Sequence, residues 1–116
     1  MPVDIYSNLA GDSLESEEAK LYNLVNEYRA QNGLPAIPLS KALTTVANRH
    51  VQDVAENLNL QFNDGRNPHS WSWGAFDLNN PATYANMWEA PQRLNTGYPG
   101  RGYENFYRTS ASVVDA

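Results

Sequence analysis

The chain has 116 residues, enough for one hydrophobic core and one domain. Hydrophobic residues make up 41% of it and charged residues 18%, a globular balance rather than a disordered one. The net charge is −5 and the eight Lys and Arg are scattered, so there is no basic stripe to meet a phosphate backbone, and nucleic acid is not an expected partner. No apolar run approaches the roughly 20 residues of a membrane span. The opening "MPVDIYSNLAGDSLESEEAK" has neither the basic nor the apolar region of a signal peptide. The absence of cysteine excludes disulfides, thiolate nucleophiles and cysteine-based zinc sites.

Residues 1–16 show no periodicity and read as an extension, either lying against the domain of residues 17–116 or mobile. Ser16 as N-cap, followed by Glu17 and Glu18 in the first turn, predicts a helix start. Leu21, Leu24, Val25 and Tyr28 continue it at helical spacing, and Gly33 in "QNG" offers a left-handed stop. "LPAIPLS" carries two prolines three apart and predicts a stiff extended connector to Ser40, the next N-cap. A second helix follows with one broad apolar stripe, Leu43, Val46, Ala47, His50, Val51, Val54, Ala55 and Leu58. His50 within that stripe reads as a core or boundary histidine with one nitrogen satisfied.

Beyond Leu60 the periodicity gives way to turn chemistry. "PATYANMWEA" predicts a short helix capped by Asn80, with Pro81 in its first turn and Pro91 closing it. "NTGYPGRGYENFYR" predicts a tight loop entering a short strand, "YENFY". This half is rich in Trp and Tyr, which suits packed core or a groove that stacks on sugar or peptide. Its chemistry centres on His69. A Ser-His-acid set would join His69 to Ser70 or Ser72 and Glu104, but no nucleophile-elbow pattern surrounds either serine. With two histidines and no cysteine, a closed zinc site is not expected from this chain alone.

The run "LYNLVNEYRAQNGLPAIPLSKALTTVANRHVQDVAEN", followed by "HS" and then "YENFY", resembles the first half of a CAP superfamily domain. This superfamily groups SCP-like proteins with cysteine-rich secretory proteins, antigen 5 and pathogenesis-related 1 proteins, and the likeness is greatest to its bacterial SCP-like branch. The matching elements are Asn26 to Arg29, Asn32 to Leu39 and His50 to Ala55, and the resemblance spans roughly residues 17 to 110. It implies an α+β fold, a three-layer α-β-α sandwich whose cleft has two His and two acids and in several members holds a divalent metal. His69 and Glu104 match the family's "HS" and Glu-Asn elements and so are implied metal ligands, zinc being the natural ion. Ser70, Trp71, Asn105 and Tyr107 would line the cleft, while His50 matches a position that is not a site residue.

Two departures qualify the implication. Tyr103 stands where the family has Gly before the Glu-Asn pair, which bears on the aim of Glu104. The sequence ends at "SVVDA", about where the family's next helix begins, so the second acid, the second His and the C-terminal part of the domain are not expected in this chain. That predicts a partial sandwich, an incomplete metal site and an exposed sheet edge prone to association. The resemblance implies an extracellular or cell-envelope binding module for a small molecule, lipid, peptide or glycan. A metal-assisted hydrolase and a purely structural domain with Trp71, Trp73 and Trp88 as core are the alternatives.

Overall fold

The computed structural model describes residues 2–10, 12, 16–63 and 65–106. Helix α1 covers Ser16–Gln31, α2 Lys41–Gln52, α3 Ala85–Trp88 and α4 Ala90–Arg93. The only paired extended residues among those described are Trp71 and Gly74, an isolated antiparallel bridge. The described residues therefore form a helical and loop-built body, and the sandwich's sheet is not among them. Of the strand expected at "YENFY", the described residues 103–106 make no ladder. The Gly102 N–H donates instead to the Trp88 carbonyl at 2.9 Å, which ties the segment to a helix end.

α1 ends as its sequence predicts, with Gly33 at φ +71° and the Leu34 N–H returning to the Arg29 carbonyl at 2.9 Å. The Ser16 side chain lies outside the described residues. The prolines of the connector remove donors, so Ile37 carries much of the pairing. Its N–H donates to Asn26 Oδ1 at 2.7 Å and its carbonyl accepts from Tyr22 Oη at 2.7 Å, while Arg29 Nε reaches the Pro35 carbonyl at 2.8 Å. The polar Asn26-to-Arg29 element thus fastens the connector to α1. The apolar residues of α1 are not covered: Leu21, Leu24, Val25 and Tyr28 are all exposed. Leu21 and Tyr22 of α1, with the connector and α2, border an open apolar groove of about 400 Å³.

α2 starts where Ser40 Oγ accepts the Leu43 N–H at 3.1 Å. The predicted single helix to Leu58 departs from α geometry at Asp53, and Asp53–Asn57 form a π-helical turn closed by the Leu58 N–H on the Asp53 carbonyl. That turn lets the fully buried Asp53 carboxylate accept from Asn57 Nδ2 at 2.6 Å and from Ser72 N and Oγ at 2.7 and 2.6 Å. The stripe is only partly used. Val54 and His50 are buried, Leu43 and Val46 are half-buried, and Val51, Ala47 and Ala55 face solvent.

The core joins Ile5, Trp71, Ala90 and Leu94, with Val3, Val46 and Trp73 packed around it. Ile5 comes from the N-terminal extension, which lies along the polar face of α2. Asn57 pairs with both backbone groups of Val3 at 2.8 and 3.1 Å. Arg49 reaches the Ile5 carbonyl, Asn8 Oδ1 and, at 3.0 Å, the Asp12 carboxylate. Burial alone would push the Asp12 carboxyl up, but hydrogen bonds from Arg49, the Leu9 N–H and Asn48 outweigh it and hold the group below its ordinary value.

The predicted helix from Pro81 to Ala90 breaks into a 3-10 turn over Pro81–Thr83, then α3 and α4. Asn80 caps the first piece as expected, with Oδ1 accepting the Ala82 N–H at 3.2 Å. Pro91 does not close a helix but sits in the first turn of α4, where its missing N–H costs nothing. Trp71 and Trp73 stack with centroids 4.2 Å apart, and Arg93 lies over the Trp73 ring. A side chain at Gly74 would run into Asn86 at 2.6 Å, so only glycine lets this tryptophan hairpin close on α3.

Candidate functional site

The site is built from α2, the turn at residues 67–70 and the loop that follows α4. In the turn, Asn67 Oδ1 accepts the His69 N–H at 2.9 Å and the Asn67 carbonyl accepts the Ser70 N–H at 2.8 Å. Ser70 is fully buried, its Oγ accepting the Phe76 N–H at 2.9 Å and the Asn67 N–H at 3.2 Å. It stands behind His69 as a corner post. The Ser72 hydroxyl is committed to Asp53. Neither serine is placed as a nucleophile for His69, which removes the Ser-His-acid arrangement.

Glu104 is carried in by Gly102. A Cβ at that position would press on the Pro91 ring at 3.1 Å, so the backbone approaches the start of α4 closely because residue 102 is glycine. Tyr103, the departure from the family pattern, is 73% exposed. Arg101 lies over the Trp88 ring, 4.5 Å from its centroid, and pins the loop from the other side.

The Glu104 carboxylate meets two imidazoles. Its Oε1 lies 2.6 Å from His69 Nδ1, and its Oε2 lies 3.2 Å from His50 Nε2. His69 Nδ1 faces an acceptor, so the proton sits there and Nε2 is the nitrogen left with a lone pair. His69 is the more open ring, its side chain 28% exposed, and its edge rests against Phe76. His50 is 3% exposed and packs on Trp71 with centroids 4.5 Å apart. Its Nε2 also lies 2.7 Å from the Pro68 carbonyl, and its Nδ1 is buried without a partner. The reading of His50 as a core histidine with one satisfied nitrogen therefore holds. The resemblance, which placed His50 outside the site, missed its contact with the carboxylate. The available signal was its place on the inward stripe of α2, though nothing in the sequence fixes a partner 54 residues on.

Glu104 also walls a cavity of about 360 Å³. Leu43, Val46, Trp71, Met87 and Ala90 make its apolar floor, and Tyr98, Arg101, Tyr103 and Asn105 its rim. Trp71 and Asn105, two of the residues expected to line a cleft, border this cavity, and Tyr107 lies outside the described residues. The buried Trp71 Nε1 has no hydrogen-bond partner among them.

The Cysteine-rich secretory protein family, CAP, matches residues 22–113. The chain belongs to the CAP family. Comparison with curated proteins and with solved structures finds no match. As a CAP domain it carries its histidine and Glu-Asn elements without any cysteine. Among the described residues of this CAP chain, no group of three or more His, Asp or Glu is arranged around a common point that would hold a metal ion. Nor is any helix among them long and apolar enough to cross a membrane. The donor set suits an ion in a restricted way. His69 Nε2 is the imidazole lone pair on the partly exposed ring, with Glu104 behind that ring as an orienting carboxylate, whereas the lone pair of His50 Nδ1 is buried.

Proposed function

We propose that this CAP domain is a binding module that takes the apolar part of a lipid, peptide or glycan ligand into the cavity beside Glu104, with a divalent cation held at His69. The observation that carries the reading is the 2.6 Å contact between His69 Nδ1 and Glu104 Oε1, which fixes the ring's orientation and leaves Nε2 as the nitrogen open to a ligand. Zinc suits that nitrogen. The described residues supply one direct donor, so the ion's other positions would go to water, to ligand atoms or to groups of another chain. Catalysis by such an ion needs about three protein ligands and one open position, which is why binding ranks above hydrolysis. The cavity supports an apolar occupant through its floor of Leu43, Val46, Met87 and Ala90. An extracytoplasmic setting accords with the family's description as secretory proteins; fractionation of the producing cells checks it.

Calorimetric titration with zinc at neutral pH tests the cation. Saturable binding is expected, lost in His69→Ala and weakened about 10- to 100-fold in Glu104→Ala, the range for an orienting partner. Saturable binding that survives His69→Ala would remove His69 from the site. Quenching of tryptophan fluorescence by a fatty acid, an apolar peptide or a cell-wall glycan fragment, tried in turn, identifies the occupant of the cavity.

A further inference from the structure

The Glu104 side chain is attached to a segment with no strand ladder, so something other than backbone pairing must fix where its carboxylate points. Two anchors hold the backbone, the Gly102 N–H on the Trp88 carbonyl and Arg101 over the Trp88 ring. Both act two or three residues upstream and leave the side-chain torsions of Glu104 free. The group that reaches the carboxylate from a regular element is His50 Nε2, on α2.

The same nitrogen also meets the Pro68 carbonyl at 2.7 Å, and Pro68 directly precedes His69. Both neighbours are acceptors, so Nε2 carries the proton; it donates to the Pro68 carbonyl, and Glu104 Oε2 lies beside it at 3.2 Å as a polar contact. One N–H group therefore touches the backbone that delivers His69 and the carboxylate that orients it. His50 is itself enclosed, 3% exposed, tilted at 47° against the Trp71 ring and near-perpendicular to Phe106. Its buried Nδ1, which has no partner, carries only a lone pair in that tautomer and so leaves no donor unmet.

We propose that His50 is the positioning residue of this site, a buried donor to the Pro68 carbonyl that anchors the His69 turn and stands against the Glu104 carboxylate, so that His69 presents a bare Nε2. The inference rests on reading His69 as the ligand-facing imidazole, and its principal readout needs no metal. Long-range proton–nitrogen correlation spectra of the metal-free protein report which ring nitrogen of His69 bears hydrogen. The wild type is expected to show the Nδ1–H form. His50→Gln, whose amide can donate to the Pro68 carbonyl and lie against the Glu104 carboxylate, should keep that form. His50→Phe, which fills the space beside Trp71 without a donor, should shift His69 to a mixture of tautomers and weaken zinc binding about tenfold or more. A folded His50→Phe with the wild-type His69 spectrum overturns the proposal. Should His50→Phe fail to fold, His50→Gln decides: an unchanged His69 spectrum supports the donor role, and loss of the Nδ1–H form in a folded protein overturns it. Absence of zinc binding to the wild type, with these spectra as expected, would count against the cation alone and leave the positioning role standing.

Discussion

Asp53 is a charge taken wholly out of water and kept there by three hydrogen bonds, two of them from Ser72. A buried carboxylate is tolerable only when its oxygens are met in this way. Removing it strands the donors it served, so Asp53→Ala is expected to lower unfolding stability by about 3 kcal/mol. Urea denaturation measures this, and a loss under about 1 kcal/mol would mean that water replaces the carboxylate. His69 and Glu104 were legible as single residues because the "HS" and "YENFY" elements carried them. Asp53 and His50 were not, since both act through partners 18 to 54 residues away, a separation that local pattern does not encode.

At the scale of elements, α2 shows how far periodicity reads correctly. Spacing alone cannot separate Val51 from Val54, yet the first is 58% exposed and the second 1%. Val54→Ala is expected to cost about 2 kcal/mol through lost burial and a cavity, and Val51→Ala less than about 0.5 kcal/mol. Thermal or urea unfolding of the pair decides, and equal costs would contradict the way α2 faces the core. Leu43 falls between them, because it borders the cavity rather than filling the core. The existence of α1 and α2, the Ser40 cap and the Gly33 stop were all readable, since each rests on chemistry within four residues. The π-helical turn was not, because it exists to satisfy Asp53 and Asn57, and their partners Ser72 and Val3 lie elsewhere in the chain. The strand expected at "YENFY" fails for a related reason: strand propensity needs a neighbour to pair with, and the segment meets a helix end and two imidazoles instead.

For the whole molecule, the N-terminal extension is the feature that composition hid. Its residues are small, polar and acidic, yet it sends Ile5 into the core and is laced to α2 through Arg49, Asn48, Gln52 and Asn57. The lacing makes a prediction about acid. Asp12 has a folded-state pKa below its ordinary 3.8, so the stability it contributes is complete above that value and is lost as pH falls through the folded pKa. Unfolding measured across pH 5 to 2 should therefore show a decline that begins near pH 3.8 and is flatter in Asp12→Asn. An identical decline in the variant would detach Asp12 from the stability of the extension.

The triad His50, His69 and Glu104 has a consequence in chain entropy. The contact of His69 with Glu104 spans 35 positions, and closing a flexible loop of that length costs about 3 kcal/mol beyond a constant. No element within the loop defrays that cost by itself, because α3 and α4 are single turns too short to stand alone. The carboxylate and its two imidazoles thus meet only as the tryptophan hairpin, the α3–α4 corner and α2 close together. Local opening of the tryptophan hairpin or of the α3–α4 corner dissolves the site while leaving most of α2 intact, so the chemistry belongs to the folded ensemble as a whole rather than to any segment that contributes a side chain.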